Sequence, residues 1–249
     1  PPRGPPALRS TTGQSTLYRA EGPYQVSVRA LATEPTPGAL IIVAGKLRAN
    51  DPLQPNIHRA ANQVYQLFTA QGYDPTRIYY LATDLSQPGV NALATVGNLQ
   101  AALTTWAVDK VGPDRALTLY VVDHGLLNQI YLDKPAGQWI TPVQIDSWLT
   151  ELETARPGVN VNLIIEACHA GSFIHLPQTV SRPGRVVIAS TGTYNLAYAS
   201  PQGAVFTDYF ASALGQGESL YAAFQSARWA TRAGRPMQTP WLDDNGNGI

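Results

Sequence analysis

The chain is 249 residues long, with 17 Lys and Arg against 17 Asp and Glu, 44% apolar residues and a single cysteine. That length suits one large domain with short appendages. The balanced charge excludes the uncompensated field that a nucleic-acid coat or a polybasic membrane-surface protein needs, so neither partner is expected.

One thiol can neither close an internal disulfide nor complete a thiolate zinc site. The longest apolar stretch, residues 39–44, falls far short of the roughly 20 residues that cross a bilayer, so no membrane span is expected. Residue 1 is Pro and the only methionine is Met237, so the chain reads as part of a longer one.

Residues 1–37, rich in Pro, Gly, Ser and Thr, read as an N-terminal arm or linker. Within them Tyr24-Gln25-Val26-Ser27-Val28-Arg29 alternates as a strand would. From Ala39 the pattern changes to short β-branched apolar runs separated by helical periods, which predicts a parallel sheet covered by helices over residues 38–235.

The runs are Leu40 to Val43, Ile78 to Leu81, Leu117 to Val122, Val161 to Ile165 and Val186 to Ala189. His58 to Gln71 reads as a helix stopped by Gly72. The recurrence of Val96, Leu99, Leu103 and Trp106 predicts a crossover helix of about five turns. Thr141-Pro142-Val143-Gln144 combines an N-cap, a first-turn proline and a capping-box Gln, so a helix carrying Ile145, Trp148, Leu149 and Leu152 should begin there. Two further helices, over 204–214 and 218–232, complete an α/β fold: a mostly parallel open sheet of about six strands with helices on both faces. Residues 236–249 read as a tail.

Open parallel sheets do their chemistry at the carboxyl ends of their strands. Leu117 to Val122 runs into Asp123-His124-Gly125, and Val161 to Ile165 runs into Glu166-Ala167-Cys168-His169-Ala170-Gly171-Ser172. A thiol nucleophile needs a base or a cation beside it, and His124 can supply either. Gly125 lets backbone approach a substrate closely. Its N–H, with that of Cys168, could face the oxyanion of a tetrahedral intermediate, worth about 3 kcal/mol per donor.

Together, Tyr120-Val121-Val122-Asp123-His124-Gly125 and Ile165-Glu166-Ala167-Cys168-His169-Ala170-Gly171-Ser172 resemble motifs of the legumain (asparaginyl endopeptidase) family of cysteine peptidases, relatives of caspases and gingipains. Ile41-Ile42-Val43-Ala44-Gly45 is similar to the family's first strand and Tyr65-Gln66 through Gly72 to its first helix, so the resemblance spans roughly residues 39–215. It implies a caspase-like fold and a bacterial-type member of the family. It also implies Cys168 as nucleophile, His124 as base, and Asn56, in Asn56-Ile57-His58-Arg59, as the residue that orients the imidazole.

Carried over in the same way, Glu166, Asp208, Ala197 and Tyr198 would line the pocket for the residue before the cut. The family's pocket arginine finds His58 at its place and Arg59 one position later. An Asn side chain wants a cation on one side and a carboxylate on the other. Arg59 with Glu166 or Asp208 would therefore select Asn, or else Asp. If Arg59 points away, an acidic pocket would favour Arg or Lys.

The same residues admit a ligase or transpeptidase that passes the thioester to an amine, and a silent caspase-like interaction module. No cofactor is required for the hydrolysis. Family habit suggests work outside the cytosol, on peptide or protein substrates.

Each residue also has a plainer reading: Cys168 as a small buried hydrophobe, His124 as a satisfied core histidine, Asn56 as a helix-entry residue, Asp208 as a solvated carboxylate. His169 and His175 flank the thiol at a spacing that fits no standard zinc set. The tail Asp243-Asp244-Asn245-Gly246-Asn247-Gly248 matches the opening of a calcium loop, with Asp243, Asn245 and Asn247 as candidate ligands and no closing acid in the chain.

Overall fold

The computed structural model describes residues 37–175 and 177–248, together with the short strands β1 (Tyr18–Arg19) and β2 (Gln25–Val26), which pair antiparallel. Most of the arm expected over 1–37, and the rest of its alternating segment, lies outside the described residues. The domain begins with β3 (Ala39–Ala44), whose six residues are all buried because both faces of the strand are covered. Ala39, Ile41 and Val43 join one apolar cluster while Leu40, Ile42 and Ala44 join the other, as the two-residue period of a strand requires.

Along the chain follow α1 (Gln54–Ala70), β4 (Ile78–Ala82), β5 (Val90–Leu93), α2 (Val96–Ala101), β6 (Leu117–Val122) and the small sheet β7 (Gly125–Leu126), β8 (Gln129–Asp133) and β9 (Gln138–Ile140). Then come α3 (Pro142–Ala155), β10 (Val161–Glu166), β11 (Arg185–Ala189), α4 (Val205–Gly215), α5 (Leu220–Gly234) and β12 (Trp241–Asp243). The main sheet has seven strands in the order β12-β11-β10-β6-β3-β4-β5, parallel except for the antiparallel edge strand β12. Helices α2 and α3 pack on one face, and α1, α4 and α5 on the other. The five apolar runs are five of these strands, and the fold class is as the patterning predicts.

The capping box at Thr141 forms: its hydroxyl accepts from Gln144 N, and the Gln144 side chain accepts from Thr141 N. The stripe from Val96 to Trp106 is shorter than expected. Six α-helical residues from the Thr95 N-cap pass into a π-helical turn over Ala102–Trp106, about three turns in all, which still buries Leu99 and Leu103. Two strands of the main sheet, and the whole of the small β7–β9 sheet, escaped the sequence reading. β5 is half exposed and lacks an apolar run, and β12 comes from the segment read as a tail, where Asp243 pairs with Val187.

Candidate active site

Because β6 and β10 run parallel in direct register, with Glu166 opposite Val122, the residues that follow them emerge side by side at one rim of the sheet. The approach is tight. A Cβ on Gly125 would lie 2.3 Å from the Cys168 carbonyl oxygen, so this crossing admits only glycine without moving backbone. Cys168 and His124 line the same open pocket, with Leu53, Asn56 and Ile57 from α1 and its approach and Ala197, Tyr198 and Ala199 opposite.

The cysteine is half-buried, and its Sγ faces the Ala197 carbonyl at 3.7 Å. Burial holds the thiol's pKa above its ordinary value. Burial also lowers the pKa of His124, opposed by the carboxylate of Asp51. Both shifts favour a neutral thiol and a neutral imidazole over an ion pair.

Asp51 is the residue set against the histidine: its Oδ2 lies 2.9 Å from His124 Nε2, on a side chain with no solvent exposure. The other oxygen, Oδ1, accepts from Leu53 N and fixes the carboxylate at the entry of α1. Asn56, expected in that position, instead donates from Nδ2 to the Ser200 carbonyl at 2.6 Å while lining the pocket. The sequence reading passed over Asp51 because Asp-Pro before a helix is ordinary turn chemistry. The available signal was its place in the loop after β3, a third strand ending at the same rim.

Asp123 lies just behind His124. Its Oδ1 accepts from the His124 N–H at 2.6 Å, and burial holds its carboxyl well above the usual range, with Asp51 and Asp133 adding repulsion.

Glu166 faces the α4 side of the sheet and is buried. Its Oε2 accepts from Thr207 N at 2.8 Å and from Thr207 Oγ1 at 2.9 Å. Ala204 is the N-cap of α4 and has no side chain to bond the helix, so Glu166 takes over the capping, a contribution of about 1 kcal/mol. Burial raises its pKa to about 7, opposed by hydrogen bonds with the Ser190 and Thr207 side chains, and the residue lines the pocket.

Ala197 and Tyr198 line the pocket. Asp208 does not reach it. Its Oδ2 accepts from Ser200 Oγ, so it holds, with Asn56, the strap of residues 197–203 that closes the pocket. Gln238 accepts from Tyr198 N and donates to the Ser190 carbonyl, anchoring the same strap from below.

Arg59 and His58 are likewise elsewhere. Arg59 is exposed on α1 and outside the pocket lining, and His58 turns to Gln54 Nε2 at 3.0 Å, with Asp84 nearby. The reason is helical phase: Ile57, Ala60, Ala61, Val64 and Phe68 occupy the core face, which turns positions 58 and 59 away.

His169 adopts a left-handed φ of 59° directly after the cysteine, its Nδ1 3.0 Å from the Thr193 carbonyl, while His175 is exposed. Among the described residues no group of three or more His, Cys, Asp or Glu is placed to hold a metal ion. In the tail, both Asp243 oxygens accept backbone N–H groups, Oδ1 from Asn245 and Gly246 and Oδ2 from Gly248. Among the described residues no helix is long and apolar enough to cross a membrane.

No protein-family model matches the chain, and no curated protein matches it in sequence. Among solved structures it is similar to caspase-1 from Spodoptera frugiperda, with a TM-score of 0.60 over 92% of this chain and 93% of that one. The chain has a caspase-like fold. At 12% identity the likeness concerns architecture, and the side chains at the rim carry the chemical argument.

Proposed function

We propose that this caspase-like chain is a cysteine endopeptidase, a reading supported above all by Cys168 and His124 lining one open pocket at the carboxyl ends of adjacent parallel strands. In the proposed reaction His124 takes the proton of the Cys168 thiol as Sγ bonds to the scissile carbonyl carbon. The N–H groups of Gly125 and Cys168 hold the oxyanion. Collapse breaks the C–N bond, and His124 gives its proton to the departing amine. Water activated by the same imidazole then hydrolyses the thioester. Asp51 keeps the ring in place and favours its transient charge.

For the residue before the cut, the carboxyl groups of Glu166 and Asp123 line the pocket, and among the described residues no arginine or lysine does. That arrangement favours Arg or Lys over Asn, whose carbonyl would want the cation that Arg59 does not bring. The test is a set of fluorogenic peptides differing only in Arg, Lys, Asn or Asp at that position, assayed across neutral pH.

Glu166 is uncharged below about pH 7 and ionised above it. The ratio of kcat/KM for Arg over Asn should therefore climb as pH rises through that value. Taking the ratio cancels the titration of His124, which both substrates share. A ratio that stays flat, or that favours Asn above the transition, would remove the acidic-pocket reading.

A further inference from the structure

The acyl-side pocket and the small β7–β9 sheet lie on opposite faces of the main sheet. The pocket is walled by Ile57 and Ala204 of the α1/α4 cluster, while Ile130, Leu132 and Ile140 of β8 and β9 pack with the α2/α3 cluster. His124 stands between them, since it lines the pocket and its backbone continues directly into β7. The β7–β8 turn is Leu126-Leu127-Asn128-Gln129, with Leu126 paired to Gln129 and Asn128 supplying the left-handed φ of 57°. Gly, Asn and Asp dominate such two-residue turns. Here one of the two turn positions, and the strand residue before it, are leucines exposed by 50% and 49%.

A single exposed leucine is ordinary. Two in sequence at the tip of a hairpin are not explained by the fold, which buries the other end of that hairpin. The tip is also held in place. Asn128 N donates to Ser172 Oγ at 2.9 Å, and buried Ser172 follows Cys168 by four residues, so the leucines keep a fixed position relative to the thiol.

Chemistry gives the direction of a substrate across this rim. The residue before the cut enters the pocket beside Ala197, Tyr198 and Glu166, and the departing amine must face His124, which protonates it. The chain beyond the amine therefore continues over the hairpin.

Resting on the peptidase reading, we propose that Leu126 and Leu127 form the subsite for an apolar side chain at the first or second residue after the cut. Burying one such side chain against them is worth about 10- to 200-fold in kcat/KM relative to Ser or Asp.

The experiment uses two substrate sets. Peptidyl coumarin amides carry no residue after the cut and read Cys168 chemistry alone. Internally quenched peptides carry Leu, Phe, Ser or Asp at the two positions after it. Coumarin release with at least 10-fold preference for Leu or Phe over Ser in the peptides, collapsing to less than about 3-fold in a Leu126→Ser/Leu127→Ser variant and kept in Leu126→Met/Leu127→Met, is the expected result. Because the readout is a ratio within each variant, a general loss of activity does not mimic it. Coumarin release without any such preference, or a preference that survives the serine variant, overturns the subsite and leaves the peptidase standing. Absence of both activities takes down the peptidase reading itself.

Discussion

Replacing Cys168 with Ala is expected to abolish peptide hydrolysis, a fall on the order of 10⁵-fold or more in kcat, while the thermal midpoint moves by no more than about 2 °C. The asymmetry follows from where the side chain sits. It is half-buried at the end of β10, its one hydrogen bond is a long sulfur contact to Ala197, and the core beneath it is built by other residues. Removing one sulfur atom therefore costs little packing, whereas without it no covalent intermediate can form.

Asp51→Asn should cost less, on the order of 100-fold, since the imidazole remains and only its orientation and charge support change. It should also leave a signature. Asp51 raises the pKa of His124 against burial, so its neutralisation lowers that pKa and moves the acid limb of the rate profile to lower pH. A loss of rate with the acid limb unmoved would mean that Asp51 serves only to shape the loop.

The second large effect is on stability. Arg185 is the largest fully buried side chain of the chain's described part. Its guanidinium donates to Glu153 Oε1 at 2.6 Å, Asp146 Oδ1 and the Val180 carbonyl at 2.8 Å, and Thr150 Oγ1 at 3.0 Å. It ties the start of β11 to α3, and through α3 to the face of the sheet that also carries the β7–β9 hairpin.

Arg185→Met strands the Glu153 carboxylate and the Val180 carbonyl and leaves Asp146 with Arg182 as its one remaining cation. The two carboxylates keep some contact with solvent, so the cost falls at the low end for a broken buried pair, about 3 kcal/mol, or roughly a 10 °C drop in Tm. Combining it with Glu153→Gln should recover part of the loss, because the stranded charge goes with the cation.

The pH dependence has a defined sign. Arg182 and Arg185 hold the Asp146 carboxyl below its ordinary range, so the pair's contribution is complete above that ordinary range and fades as pH falls toward the depressed value. Equal melting of wild type and Arg185→Met at neutral pH would refute this assignment.

What the sequence disclosed follows from how local the cause is. α3 was legible to the residue because its start is written in Thr141, Pro142 and Gln144. The buried parallel strands were legible because covering both faces leaves an uninterrupted apolar run. β5 and β12 lack that run: an edge strand needs one buried face at most, and the partner of β12 is distant in sequence.

At the rim, Cys168 and His124 stood out because strand ends are where such sheets act. Asp51 reads as a turn residue until the sheet brings β3 beside β6. Arg59 could have been set aside from sequence alone, since the periodicity of Ile57, Ala60, Ala61 and Val64 already turns it outward. The capping of α4 by Glu166 could not, because its partner, Thr207, is 41 positions away.

The central claim is that the sulfur of Cys168 and the ring of His124 work on one peptide bond in one pocket. Treating the full chain with a peptidyl acyloxymethyl ketone and mapping the adduct by mass spectrometry tests it most directly, because a thiolate beside the docked peptide bonds to the methylene carbon and expels the acyloxy group as a carboxylate. The account predicts one adduct per chain, on Cys168, formed in step with loss of peptide hydrolysis and strongly slowed in His124→Ala. Hydrolysis that continues with Cys168 fully modified, or labelling that proceeds at the same rate in His124→Ala, would contradict it.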